Sequence, residues 1–170
     1  MPMDDDNTDG ATTQRPLAFV DIDGVLADVR HRLHFIERRP RDWDGFFDAA
    51  VDDPVHPEGI ALVETLRVDH EIVYLTGRPR RLASDTERWL AEHGVGGHRL
   101  VMRPERDRRP AAIVKLELVK QISSGRRVAV IVDDDTDVIG TMRRAGYATF
   151  HATWERGEVS HTTDVVPDTY

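Results

Sequence analysis

The sequence contains no cysteine, which excludes disulfide bonds, thiolate metal sites and cysteine nucleophiles. No apolar run approaches the roughly 18 residues that a membrane-spanning helix needs. The first ten residues, MPMDDDNTDG, are acidic and polar, so they do not resemble a secretory signal. These absences predict a cytoplasmic enzyme or binding domain with no membrane segment.

Lysine is also scarce, since only Lys115 and Lys120 occur among 23 basic residues. The net charge of −8 argues against a broadly basic surface that coats nucleic acid, although it leaves room for a local basic groove. Because arginine is so abundant, a single arginine carries little information. Lys115 is therefore the more informative cation.

Apolar, β-branched runs predict five strands, and amphipathic stretches between them predict helices. The predicted strands are 17–22, 71–76, 99–103, 128–133 and 147–152, and the predicted helices are 58–69, 81–93, 110–122 and 136–145. Alternation of this kind is typical of an α/β fold with a three-layer, doubly wound parallel sheet. Such sheets bind ligands at the carboxyl ends of their strands.

The segment from about 29 to 57 interrupts the alternation and predicts a small helical cap inserted after the first strand. It reads as two short helices joined at Pro40. Its aromatic residues Trp43, Phe46 and Phe47 either form the core of the cap or stack on a nucleic-acid base. The folded domain is predicted to span 16–156, between a disordered acidic tail (1–15) and a flexible C-terminal tail (157–170).

Acidic residues follow the first and fourth predicted strands. Asp21 and Asp23 end the first, and Asp133, Asp134 and Asp135 end the fourth. An isolated Asp-Gly pair would be explained by a turn. Carboxylates gathered at one sheet edge repel one another, however, and need a cation. With no histidine or cysteine beside them, these oxygen ligands favour Mg²⁺.

The same sheet edge carries groups suited to phosphate chemistry. With a divalent ion present, one paired carboxylate can attack phosphorus while the other acts as general acid and base. Thr76 offers a hydroxyl, and Gly77 lets the backbone approach a ligand closely. Arg78 offers a planar fork for phosphate oxygens, and Lys115 a point charge for the transition state.

Four stretches resemble, in order and spacing, the motifs of the haloacid dehalogenase-like superfamily: DIDGVLAD, YLTGRP, IVKLELVK and VIVDDDTD. The resemblance implies an aspartyl-phosphate on Asp21, with Asp23 protonating the leaving group and then activating water. It implies Mg²⁺ bound by Asp21, the Asp23 carbonyl and Asp134. Asp133 then either helps to bind metal or orients Lys115, and Asp137 is an alternative for a supporting role. An aspartate at the second position disfavours dehalogenation.

A closer resemblance, carried by TGRP, MRPERDRRP, VKLELVK and DDDTDVIGTMRRAGY, is to the 3′-phosphatase domain of polynucleotide kinase-phosphatases. It implies a magnesium-dependent polynucleotide or nucleotide 3′-phosphatase. No GxxxxGK[ST] phosphate loop occurs, so only the phosphatase module is expected, and a separate partner would supply kinase or ligase activity.

An arginine stretch that follows the third predicted strand bears on the substrate: Arg103, Arg106, Arg108 and Arg109, of which Arg103, Arg108 and Arg109 are the candidate substrate contacts. They are either a solvated loop or a rim that contacts the other phosphates or the base of a nucleotide. Two alternatives to the 3′-phosphatase stay open. One is the same chemistry on a small metabolite phosphate or a 5′-nucleotide, and the other is a non-catalytic phosphate- or metal-binding module.

Overall fold

Five parallel strands form the centre of the structure, a computed structural model that describes residues 14–156 and 161–162. The strands are β1 (Leu17–Val20), β2 (Glu71–Pro79), β3 (Arg99–Arg103), β4 (Val128–Asp133) and β5 (Thr149–His151). The sheet order is β3-β2-β1-β4-β5-β6, where β6 (His161–Thr162) pairs antiparallel with β5. The predicted parallel sheet is confirmed, and β6 is an addition to it.

Helices cover both faces of the sheet, as the alternating pattern predicts. They are α3 (Pro57–Leu66), α4 (Ala83–Glu92), α5 (Ala111–Ser123) and α6 (Thr136–Arg144). Val63 of α3 and Trp89 of α4 pack with Ala18 and Val20 on one face. On the other face, α5 and α6 pack against Leu17, Phe19 and their neighbours. Alternate residues of β1 thus enter two cores, which gives the three-layer α/β architecture.

Local sequence explains where these helices begin and end. Pro57 stands in the first turn of α3, where its missing N–H costs no helical hydrogen bond. Gly94 follows α4 with φ +76°, a left-handed conformation that glycine adopts without steric cost. The predicted stop of this helix at Gly94 is confirmed.

The order of the strands reverses between β1 and β4. From β1 the chain winds outward through β2 to β3, and it then returns to the other side of β1 as β4. Loops after β1 and β4 therefore leave in opposite directions and open a crevice at the carboxyl edge. The acidic residues after these two strands flank that crevice.

The cap follows β1 and contains two short helices, α1 (His34–Glu37) and α2 (Trp43–Asp48), with 3-10 turns at Arg30–Arg32 and Ala49–Asp52. Its two ends meet, because Ala27 pairs antiparallel with Val55. Glu155, beyond β5, holds both ends. Its Oε1 accepts a hydrogen bond from the Val29 N–H at 2.9 Å and lies 3.2 Å from His56 Nε2.

The structure does not describe residues 1–13, 157–160 and 163–170, so most of both predicted tails lies outside the described residues. Across the described ranges, no helix has the length and apolar character that crossing a membrane requires.

Candidate active site

Asp21 and Asp133 leave neighbouring strands at the same level of the sheet. Val20 of β1 is paired with Val132 of β4, and each aspartate is the next residue along its strand. The Asp21 N–H donates to the Val132 carbonyl at 2.9 Å, which fixes this level. Both carboxylates are buried. Two adjacent buried carboxylates require compensating positive charge.

Lys115 supplies that charge from α5. Its Nζ lies 2.7 Å from Asp21 Oδ2 and 2.7 Å from Asp133 Oδ2. Burial acts to lower the pKa of Lys115, but Asp133 and Asp21 outweigh it and raise the pKa above its ordinary value. Lys115 is therefore a cation held between two carboxylates. The Asp133 contact matches one of the two roles that the sequence leaves open for this residue.

Asp134 adds a third carboxylate to this cluster. One oxygen from each of Asp21, Asp133 and Asp134 lies within 4.8 Å of the others. Burial raises the pKa of Asp134 to about 7, and Asp133 adds to the effect. Burial also raises the pKa of Asp21, against the opposing effect of Lys115. One lysine does not balance three carboxylates, and the all-oxygen donor set fits Mg²⁺.

Gly24 makes room for the Asp134 carboxylate. Its φ is +75°, which L side chains rarely adopt, and a Cβ built there would lie 2.3 Å from Asp134 Oδ2. The glycine of the DIDG stretch thus allows the turn and also the close approach of a carboxylate from β4. A turn alone does not account for this stretch.

Two arginines bind Asp23, and both donate to its Oδ1. Arg32 Nη2 lies at 2.7 Å, and Arg78 Nε and Nη2 lie at 2.9 and 2.6 Å. Burial acts to raise the pKa of Asp23, but Arg78 and Arg32 outweigh it and lower the pKa below its ordinary value. Asp23 is therefore ionised in this arrangement. Arg78, predicted to hold phosphate oxygens, here contacts a carboxylate.

Asp53, at the end of the cap, binds the same two arginines. Arg32 Nε and Nη2 each donate to Asp53 at 2.7 Å, and Arg78 Nη2 donates at 2.9 Å. His31 Nε2 lies 2.8 Å from Asp53 Oδ1. The side chains of Arg32 and Asp53 are both 0% exposed. This buried network of Asp23, Arg32, Asp53 and Arg78 joins the cap to the carboxyl edge of the sheet.

Residues 16–155 match the family model of the polynucleotide kinase PNKP phosphatase domain. The match covers most of the chain and includes the acidic cluster, Lys115 and the buried network. The chain belongs to this family. It is therefore a haloacid dehalogenase-like phosphatase domain, as the resemblance of its motifs implies. No curated protein matches the chain.

Several solved structures share the fold of this chain. A chain of the Pnkp1/Rnl/Hen1 RNA repair complex has a TM-score of 0.68 at 23% identity, covering 82% of this chain and 43% of that one. A second Pnkp1/Rnl/Hen1 structure gives 0.67 at 23%, covering 82% and 46%. A haloacid dehalogenase-like family hydrolase from Streptococcus pneumoniae gives 0.54 at 14%, covering 81% and 84%. The chain spans less than half of the repair-complex chains.

Thr76 and Gly77 lie at the carboxyl end of β2, near the other candidate residues of the PNKP phosphatase domain. Thr76 is buried, and its Oγ1 accepts a hydrogen bond from the Arg78 N–H at 3.1 Å. A Cβ added at Gly77 would meet no atom within 4 Å. The main chain here is therefore accessible to a ligand, as the predicted close approach requires.

The predicted arginine rim is mostly bonded within its own loop. Arg103 Nη1 donates to the carbonyls of Asp107 and Arg109 at 3.1 and 3.0 Å. Arg109 pairs with Asp107 at 2.7 Å and with Glu117 at 2.8 Å. Arg108 is exposed and makes no ion pair within the described part of the chain. None of the three contacts the acidic cluster. Arg103 and Arg109 instead stabilise the loop after β3.

Arg32 and Asp53 also belong to the candidate site, although the sequence did not predict a role for either residue. A signal for Arg32 exists, because it falls between Val29, Leu33 and Ile36 on a helical stripe that is otherwise apolar. An arginine in such a position must be paired when buried. Asp53 offers no comparable signal, since it is one of several aspartates in a polar stretch.

Proposed function

We propose that this domain hydrolyses phosphomonoesters through an aspartyl-phosphate on Asp21, with Mg²⁺, at the 3′ ends of polynucleotides. One observation carries the chemistry. Lys115 holds the Asp21 carboxylate beside Asp133 and Asp134, while Asp23, two residues on, is bound by two arginines. A nucleophile and an acid–base group with separate charge partners are what two-step phosphoryl transfer needs.

In the first step, an Asp21 oxygen attacks phosphorus and the bond from phosphorus to the ester oxygen breaks. Asp23 gives a proton to the departing oxygen, which leaves as a hydroxyl group. In the second step, Asp23 removes a proton from water as the water attacks phosphorus. The bond to Asp21 then breaks, which releases inorganic phosphate, restores the Asp21 carboxylate and leaves Asp23 protonated for the next cycle.

Asp23 must carry a proton before the first step, although Arg78 and Arg32 lower its pKa. An incoming phosphate offers the same guanidinium groups a stronger anionic partner. When Arg78 moves to phosphate oxygens, Asp23 loses the interaction that favours its ionised form. Arg78 thus pairs with Asp23 before substrate binds and with the phosphate afterwards, which accounts for both the observed ion pair and the predicted phosphate contact.

The residues that would hold Mg²⁺ are Asp21, Asp134 and the main-chain carbonyl of Asp23, with Asp133 bound to Lys115 beside them. The ion would supply Lewis-acid neutralisation of phosphate charge when bound. Asp133 Oδ2 lies 2.7 Å from Lys115, and Asp133 Oδ1 accepts from the Asp135 N–H at 3.0 Å. We assign Asp133 primarily to orienting Lys115.

The polynucleotide substrate is supported by the PNKP phosphatase family match and by fold likeness to chains of an RNA repair complex. In this proposal the substrate is a phosphorylated nucleic-acid 3′ end, and a separate kinase or ligase partner acts on the same nucleic acid. The test compares a 3′-phosphorylated oligonucleotide with 3′-nucleotides, 5′-nucleotides and sugar phosphates in the presence of Mg²⁺. We expect the highest kcat/KM for the oligonucleotide. A preference for sugar phosphates would overturn the substrate assignment, and no turnover of any ester would overturn the catalytic one.

We expect Mg²⁺ binding to strengthen as the pH rises through about 7, because Asp134, with a pKa of about 7, must lose its proton to bind the ion. Below that value, the apparent Kd should rise about tenfold per pH unit.

A raised carboxyl pKa also means that the ion-free fold binds more protons than the unfolded chain. Its stability therefore falls as the pH rises from about 4 to about 7.

Calorimetric titration with Mg²⁺ at pH 6 and pH 8, without substrate, measures this dependence. Asp134→Asn should bind weakly at both values. Asp69→Asn changes an exposed aspartate after α3, away from the acidic cluster, and should keep the dependence of the parent. Equal affinity at the two pH values in the parent protein would contradict the prediction.

A further inference from the structure

The tip of the cap carries positive charge that no carboxylate neutralises. Arg38, Arg39 and Arg41 are exposed, and none of them forms an ion pair or hydrogen bond within residues 14–156. Glu37 is the only acid in residues 37–41. In a chain with a net charge of −8, this is a local concentration of unpaired guanidinium groups. Such groups bind phosphate oxygens well.

The acids that follow this stretch are already engaged. Asp42 accepts a hydrogen bond from the Gly45 N–H at 2.8 Å and caps α2. Asp44 pairs with Arg81 at 2.8 Å. Glu37 is exposed and forms no ion pair among the described residues, so no carboxylate of residues 37–44 pairs with the three arginines.

An exposed aromatic ring lies beside these arginines. Trp43 is 46% exposed, whereas its neighbour Phe46 is 7% exposed. The Trp43 ring stacks on Phe47 at 6.0 Å with an interplanar angle of 27°, and it meets the edge of Phe46 at 5.9 Å. The Arg41 guanidinium lies 6.0 Å from the Trp43 ring centroid. Phe46 thus serves the cap core, while Trp43 is a supported ring with much of its surface free to stack on a base.

Two sets of contacts connect this surface with the active site. The Arg32 guanidinium lies 4.2 Å from the Phe46 ring centroid, and Arg32 donates to Asp23 at 2.7 Å. Arg81, which pairs with Asp44, lies two residues beyond the end of β2, the strand that carries Thr76 and Arg78. The cap surface and the acidic cluster therefore share the carboxyl edge of the sheet.

We propose that Arg38, Arg39, Arg41 and Trp43, here called the cap face, bind the single strand that leads to the 3′-phosphate. This inference rests on the proposed function and deepens it. The guanidinium groups contact phosphodiesters upstream of the end, and Trp43 stacks on one base. The cap face thus selects a chain over a single nucleotide. Stacking and a few phosphate contacts suit single strands of either RNA or DNA.

The test measures the Kd of a fluorescent, 3′-phosphorylated single strand by anisotropy, in an Asp21→Asn background so that nothing turns over. RNA and DNA of one sequence form two arms. The triple variant Arg38→Gln, Arg39→Gln, Arg41→Gln should raise Kd about 10- to 100-fold, and the slope of log Kd against log salt should fall by about 2. Trp43→Ala should raise Kd about 5- to 50-fold.

Arg127→Gln is the matched control, because Arg127 is exposed and precedes β4 at the opposite edge of the sheet. It should leave Kd within twofold. In the active background, kcat/KM for p-nitrophenyl phosphate should be unchanged by the cap-face variants. Unchanged oligonucleotide Kd and salt slope would overturn the cap-face assignment and leave this surface to a protein partner. If the parent turns over the small ester but does not bind the oligonucleotide, both the polynucleotide substrate and the cap-face assignment are overturned. If it binds the oligonucleotide but does not turn it over, the proposed function alone is overturned.

Discussion

Asp21→Asn should abolish turnover, with kcat lowered at least about 10⁴-fold, because an amide oxygen cannot serve as the nucleophile. The fold should persist. Asparagine keeps the shape of the side chain and still accepts a hydrogen bond from Lys115, which lies 2.7 Å from Asp21. Removing one charge from a cluster of three carboxylates and one lysine also relieves repulsion. Stability at pH 8 should therefore equal or exceed that of the parent.

Rapid acid quench during turnover, followed by peptide mass spectrometry, should find the phosphoryl group on Asp21 in the parent protein and on no residue in the variant. Asp69→Asn provides the control, because Asp69 is exposed after α3, before β2 begins at the opposite sheet edge. Its kcat should stay within twofold of the parent. Undiminished hydrolysis by Asp21→Asn would refute the covalent mechanism.

Asp53→Asn should destabilise the domain by about 3 kcal/mol, because it leaves Arg32 and Arg78 buried with Asp23 as their sole carboxylate partner in the network. For a chain of this size, the melting temperature should fall by roughly 10 °C. Both arginines also lose the group that fixes their orientation toward Asp23. We therefore expect kcat to fall on the order of tenfold to a hundredfold at temperatures where the variant is folded.

Asp52→Asn is the matched control, since Asp52 is the adjacent residue but is exposed. Its melting temperature should shift by less than about 1 °C. Thermal denaturation separates the effect on stability, and the pH profile of kcat/KM separates the effect on catalysis. A structural role alone would leave that profile unchanged. A shift of its alkaline limb, where Asp23 loses the proton that the first step needs, shows that Asp53 acts on Asp23 through the arginines.

The sequence was sufficient to predict that the acidic residues share one edge, because the carboxyl ends of parallel strands lie at the same edge of a sheet. Buried apolar runs locate β1 and β4, and the residue after each must emerge at the same edge. Asp21, Asp133 and Asp134 meet there for that reason. The scarcity of lysine added a second signal, which pointed to Lys115.

The cap was harder to predict, because its short helices owe their positions to contacts far along the chain. Arg32 and Asp53 are 21 residues apart, and their pairing follows from where the cap folds back on the sheet. In a chain rich in arginine, no composition signal separates Arg32, which is buried, from Arg38, which is exposed. The loop after β3 shows the same difficulty, since Arg103 and Arg109 bind their own loop.

Glu155 has a consequence for any attempt to move this catalytic unit into another protein. Its single carboxylate contacts Val29 and His56, the entry and exit of the cap. A fragment that stops after β5 would retain all five parallel strands but lose the contacts of Glu155 with both cap ends, between which Arg32 and Asp53 lie. A fragment moved into another protein should therefore extend at least to Glu155, which lies beyond the parallel sheet. The same carboxylate holds the entry and the exit of the cap against the segment that follows β5.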